Sequence, residues 1–158
     1  MTRAARVVTC AVSVGALLAG CAIDAQTEVA FRVPRDEVTF ANDVQPILEM
    51  GCATLDCHGQ RGRPLRLYST WGLRIDDSLR PAPGATLDAI PPIRSDEVHA
   101  NVSAIAGIDV GLTRVDDSLL LRKPLDPAAG GIHHVGRIHW RSTDDPEYQA
   151  IRTWLETP

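Results

Sequence analysis

Apolar residues recur at helical spacing in several short stretches, and long glycine- and proline-rich segments separate these stretches. The first stretch has apolar side chains at i, i+4, i+7 and i+8: Phe40, Val44, Ile47 and Leu48. It predicts a helix capped by Asn42 or Asp43, because such side chains accept hydrogen bonds from a first helical turn. Gly51 is expected to end this helix.

Three further helices follow from the same pattern. The spacing predicts helices over 95–107 and 117–123, and a last one that begins with Asp145 as its cap. The segments 80–92 and 126–141 contain too much proline, glycine and polar sequence for regular structure, and we expect loops there. The pattern therefore predicts an all-α fold with long loops.

The first 20 residues follow the pattern of an export signal. Arg3 and Arg6 precede an uncharged apolar run over 7–18, which is too short to span a bilayer. The run ends in the tetrapeptide Leu18-Ala19-Gly20-Cys21, which resembles the lipobox of bacterial lipoproteins. This resemblance implies cleavage after Gly20 and lipidation of Cys21. An ordinary secretory signal and a buried apolar strand are the alternatives.

The lipoprotein interpretation divides the chain into a removed signal over 1–20, a lipid-anchored tether over 21–38 and a folded domain over 39–158. Acyl chains on Cys21 would anchor the protein without a transmembrane helix. Residue 22 is Ala, not the Asp that retains many such lipoproteins at an inner membrane. We therefore expect a lipid-anchored protein of the cell envelope, facing the periplasm or the surface, with the outer membrane favoured.

Net charge restricts the possible partners. Without the signal the chain keeps 14 basic and 20 acidic residues, a net charge of −6. This balance argues against a nucleic acid partner and, taken alone, suits a basic docking protein.

The strongest candidate for chemistry is the segment Cys52-Ala53-Thr54-Leu55-Asp56-Cys57-His58. A Cys52–Cys57 disulfide is plausible in an oxidising compartment but gives no role to His58. A structural zinc site would need four ligands in paired spacings, which the sequence does not offer. Covalent haem attachment uses two cysteines with a histidine directly after the second. The usual gap between those cysteines is two residues, and here it is four.

The surrounding sequence resembles bacterial c-type cytochrome domains of the planctomycete-type, class I-like group. The stretch FANDVQPIL over 40–48 is similar to the lead-in of that attachment motif, and LRL over 65–67 with WGLR over 71–74 is similar to its downstream segment. The segments 118–124 and 145–155 are similar to its closing half. The resemblance implies a small cytochrome c-like helical domain around one covalently bound haem c.

By this resemblance Cys52 and Cys57 form the thioethers and His58 binds iron from the proximal side. The sequence leaves the identity of the distal iron ligand undecided. Of the two methionines, Met1 leaves with the signal and Met50 lies on the proximal helix, so a methionine ligand is not expected. Among the histidines of the 126–141 loop we expect His134 first, because Gly136 follows it closely, then His133 and His139.

The predicted function is single-electron transfer between redox partner proteins, by an electron carrier that is not an enzyme. If the sixth iron position were open, the haem would instead support gas sensing or peroxidase activity. The remaining alternative is a haem-free lipoprotein with a Cys52–Cys57 disulfide and a structural or interaction role.

Overall fold

Short helices joined by loops form the whole regular structure of the part that the computed structural model describes, residues 33–34 and 36–157. The α-helices are α1 Glu37–Thr39, α2 Gln45–Gly51, α3 Ser95–Ile108, α4 Leu119–Arg122 and α5 Pro146–Glu156. A π-helical turn, Phe40–Val44, joins α1 to α2. Within these residues there is no strand, only the isolated bridges Tyr68–Leu73 and Leu125–Trp140. The predicted all-α class is confirmed.

The signal sequence, Cys21 and most of the tether lie outside the described residues. None of the described helices is both long and apolar enough to cross a membrane.

The first helical region begins earlier than the sequence pattern predicts. Asp36 caps it by accepting hydrogen bonds from the backbone N–H groups of Val38 and Thr39, so the prediction of Asn42 or Asp43 as the cap was wrong. Pro46 lies within this helical region and has no N–H to donate to the preceding turn. The wider π turn before it, closed by the Gln45 N–H on the Phe40 carbonyl, lets the chain continue in helical form.

The other helices follow their sequence signals closely. Helix α3 spans Ser95–Ile108, and α5 has Asp145 as its cap and Pro146 in its first turn. Helix α4 is shorter than the predicted 117–123, because Ser118 caps it through the backbone N–H of Leu120.

The core lies where the α1–α2 region packs against α3, α4 and α5. Phe40 packs against Trp154 with ring centroids 5.0 Å apart, and Trp140 contacts Tyr148 edge to face. A buried amide pair, Gln45 and Asn101, joins α2 to α3, since the Asn101 amide donates to Gln45 Oε1 over 2.9 Å. These contacts fix α2, whose last turn leads into the cysteine segment.

The segment after Arg74 is held by a buried ion pair. The guanidinium of Arg74 donates from two nitrogens to both carboxylate oxygens of Glu97, each at 2.9 Å, and both side chains are fully buried. Arg74 also donates to the carbonyls of Pro91 and Pro92, and Glu97 accepts from the backbone N–H of Ile75. One charged pair therefore closes the long loop onto the start of α3.

Candidate cofactor site

The four residues between the cysteines form a closed turn. The Cys57 N–H donates to the Thr54 carbonyl over 3.0 Å, and the His58 N–H donates to the Cys52 carbonyl over 2.9 Å. Cys52 itself is tied to the end of α2 by its N–H on the Leu48 carbonyl. The longer gap therefore returns His58 to the position beside Cys52 instead of moving it away.

The ring of His58 is oriented by a backbone carbonyl. Its Nδ1 lies 2.8 Å from the Leu65 carbonyl oxygen, which has no proton to give, so Nδ1 is the donor. A neutral imidazole that donates from Nδ1 keeps Nε2 as its free lone pair, and this is the tautomer in which a histidine binds a metal ion. No pattern in the sequence indicates Leu65 as the hydrogen-bond partner of His58.

Gly59 lets the turn fold tightly on itself. A Cβ placed on it would overlap the carbonyl oxygen of Ala53, which already accepts a hydrogen bond from Ser69 over 2.9 Å. Backbone atoms cannot move aside as a flexible side chain can.

We expect Gly59→Ala to destabilise the protein by about 1–3 kcal/mol, because the cysteine turn must open to admit the methyl group. The measurement is the free energy of unfolding in urea. The control is Gly107→Ala in α3, where a Cβ meets open space, and alanine there is expected to stabilise by about 0.5–1 kcal/mol. Equal effects of the two substitutions would contradict the role given to Gly59.

Backbone hydrogen bonds close the base of the 126–141 loop, which carries the other candidate histidines. The Asp126 N–H donates to the Trp140 carbonyl over 2.9 Å, and the His139 N–H donates to the Pro124 carbonyl over 2.8 Å. Gly131 passes so close to the Leu125 carbonyl that a Cβ would overlap it. The loop therefore presents residues 132–138 from a fixed base.

This loop brings His134 to His58. The two imidazole planes are within 2° of parallel and their centroids are 5.9 Å apart. Two imidazoles that bind one metal ion from opposite sides, each through a nitrogen at about 2 Å, have centroids about 6 Å apart. The observed separation fits such a pair and is too long for direct contact between stacked rings.

His134 lacks a partner for one of its ring nitrogens. Its Nδ1 is the one buried side-chain nitrogen or oxygen without a hydrogen-bond partner in the described part of the chain. Burial lowers the pKa of His134, and the nearby charges of His58 and Lys123 lower it further. The ring is therefore held in the neutral form that metal coordination requires.

The other two candidates of this loop are placed differently. His133 is exposed, and its backbone carbonyl accepts a hydrogen bond from the Lys123 ammonium. The Nε2 of His139 lies 2.7 Å from the Gly51 carbonyl oxygen, where it donates a hydrogen bond to the end of α2. His139 thus connects the loop to the end of α2. Of the three histidines, only His134 lies beside His58.

The two cysteines have different surroundings. Cys57 is exposed, Cys52 is buried, and neither is in a disulfide. Burial raises the pKa of Cys52 to about 12, and the neighbouring Cys57 raises it as well. Cys52 is therefore a protonated thiol at neutral pH and a poor participant in thiol–disulfide exchange.

Several exposed apolar side chains lie on the segments that carry the two histidines or adjoin them. Among the large hydrophobic residues that remain exposed, five come from α2, the cysteine turn, the segment after it and the 126–141 loop: Met50, Leu55, Trp71, Val135 and Ile138. Trp140, by contrast, is fully buried in the core, and Tyr68 is half-buried under the Arg66 guanidinium.

A site built only from protein ligands is not seen. No group of three or more His, Cys, Asp or Glu side chains that could hold a metal ion occurs in residues 33–34 and 36–157. His99 lies on the exposed surface of α3, with its Nδ1 2.6 Å from Oε1 of Glu37. No protein-family model, curated protein or solved structure matches the chain.

Proposed function

We propose that the protein is a membrane-tethered c-type cytochrome that transfers single electrons through one covalently attached haem. The observation that carries this proposal is the opposed pair His58 and His134, parallel and 5.9 Å apart, with His58 directly after Cys57. A pair of imidazoles with a thiol on the same turn is a donor set suited to haem c.

The residues of the site fit a covalently bound haem in three further respects. Cys52 and Cys57 both have free sulfurs on the turn that carries His58. His58 donates from Nδ1 to Leu65, and His134 is held neutral, so each ring can offer a lone pair. The exposed apolar side chains around them would be covered by the faces of a porphyrin.

When bound, haem supplies the reversible one-electron chemistry of its iron. The protein then contributes position, exclusion of water and electronic tuning. The Leu65 carbonyl fixes the His58 ring and raises its basicity, and a second imidazole in place of a thioether ligand favours a lower potential than a His/Met pair. The 126–141 loop, tied to α2 through His139 and Gly51, keeps the distal ring in place.

The haem-free alternative has less support. A Cys52–Cys57 disulfide would explain neither the parallel histidines nor the unpaired Nδ1 of His134.

The test is to express the chain with a cytochrome c maturation system, denature it and ask whether haem stays on the polypeptide. We expect haem to be retained by the native sequence and by either single variant, Cys52→Ala or Cys57→Ala, although at lower yield in the variants. The double variant should lose it entirely on denaturation, because no thioether remains. Haem that washes off the native chain, together with an oxidised cysteine pair, would overturn the proposal in favour of the disulfide alternative.

A further inference from the structure

The charge of the protein is divided very unevenly between the two segments that carry the site and the remainder. Segments 54–75 and 118–143 contain eight basic and only two acidic residues, and seven of the eight remain when Arg74, which is buried against Glu97, is set aside. The rest of 36–157 contains four basic and sixteen acidic residues. The described chain as a whole is acidic, yet the segments around His58 and His134 are basic.

We define the basic rim as five cations of these segments that reach solvent: Arg61, Arg63, Arg66, Lys123 and Arg137. Three of them contact the cysteine turn or the histidine loop. The Arg63 guanidinium donates to the Asp56 carbonyl within the cysteine turn, and the Lys123 ammonium donates to the His133 carbonyl beside His134. The Arg137 guanidinium lies 3.4 Å from Nε2 of His139, the ring that also contacts the end of α2.

Little acidic charge offsets the rim. Arg61 is bridged to Asp77 at 2.8 Å, so the net positive charge of the rim comes from its other four members. The two acidic residues of the segments are Asp56 and Asp126, and the Asp126 carboxylate accepts a hydrogen bond from the Ala128 N–H. The two carboxylates of a bound haem would reduce the excess of positive charge without reversing it.

We propose that the basic rim is the docking face for an acidic surface of a redox partner protein. Complementary charge on two protein surfaces steers their encounter and fixes their register. The inference rests on the proposed function and reverses the expectation from net charge, because an approaching partner feels the field of the nearest face most strongly.

The electrostatic field of the basic rim is measured with small redox reagents of opposite charge. The reduced full chain, in neutral detergent, gives one electron to anionic ferricyanide, which becomes ferrocyanide, or to cationic tris(phenanthroline)cobalt(III), which becomes cobalt(II). We expect the rate constant with ferricyanide to rise about tenfold when salt is lowered from roughly 200 to 10 mM, and the rate with the cation to fall. The opposite salt dependence, as net charge alone requires, would overturn the proposal.

Matched charge reversals locate the field. Arg63→Glu with Arg137→Glu is expected to abolish the ferricyanide enhancement. Arg94→Glu with Arg114→Glu alters net charge equally on exposed side chains elsewhere and should leave most of it. Equal loss in both double variants would show that only net charge matters and would contradict a docking face.

Two further measurements separate the remaining outcomes. If the native chain carries no haem, the proposed function fails, and the rim is then tested by calorimetric titration with polyglutamate and polylysine: binding of polyglutamate alone supports it, and binding of neither or of polylysine refutes it. Lys123 is the only lysine of the chain. Its protection from an amine reagent in phosphatidylglycerol vesicles, but not in phosphatidylcholine vesicles, would assign the rim to an acidic lipid surface and overturn the protein-docking proposal.

Discussion

Replacing His134 by alanine is expected to convert the iron of the haem-loaded protein from low spin to high spin and to open it to carbon monoxide. The reason is that the structure places this imidazole, and neither of its neighbours in the loop, parallel to the His58 ring at a centroid distance of 5.9 Å. The change is read in the absorption spectrum of both oxidation states, with and without carbon monoxide.

Two variants from the same loop serve as controls. His133→Ala removes an exposed ring and should leave the spectrum unchanged. His139→Ala removes the hydrogen bond to the Gly51 carbonyl, so it should lower stability by about 0.5–1.5 kcal/mol while the iron stays low spin. High-spin iron in the native protein, or in the His139 variant alone, would contradict the assignment of His134 and favour an open or a His139-ligated site.

The second large effect is expected at the buried ion pair. Glu97→Gln should reduce the free energy of unfolding at pH 7 by about 3–5 kcal/mol, because it leaves the Arg74 guanidinium buried without its counter-charge. The control is Asp77→Asn, which breaks the exposed pair with Arg61 and should cost less than about 1 kcal/mol. Denaturant unfolding measures both, and similar losses would contradict the special role of Arg74–Glu97.

The same pair predicts a pH dependence. Burial by itself would raise the pKa of Glu97, but the hydrogen bonds from Arg74, Ile75 and Arg94 outweigh it, and the pKa lies below the usual 4.5. The stabilisation is therefore fully present above that unfolded-state pKa and is lost as pH falls through the lowered folded-state value. The native protein should lose stability in acid more steeply than Glu97→Gln, and parallel acid curves would contradict this linkage.

Removing both charges gives a complementary result. The double variant Arg74→Met with Glu97→Leu should recover part of the loss caused by Glu97→Gln, since no charge then remains unpaired. Recovery will be incomplete because the backbone groups of Pro91, Pro92 and Ile75 lose their partners. A double variant that is no more stable than Glu97→Gln would show that these backbone contacts, and not the unpaired charge, dominate.

Local sequence signals were sufficient for most helices. Asp145 and Pro146 mark the start of α5, and the acidic first turn marks the start of α3, because capping and periodicity involve only neighbouring residues. The predicted start of the first helix was wrong, since Asn42 and Asp43 are as good caps by residue type as Asp36, which caps the helix in the structure. The π turn that carries the helical region past Pro46 was not predicted from the sequence.

By itself the sequence determined the helical class, the cysteine–histidine motif and a short list of distal candidates, because these depend on residue type and near spacing. The tertiary structure alone decided which histidine lies beside His58, that Leu65 orients that ring, and that Arg74 pairs with Glu97. Each of these joins segments far apart in the chain. Only the closing of loops on a packed core, at a cost in chain entropy, brings such groups together.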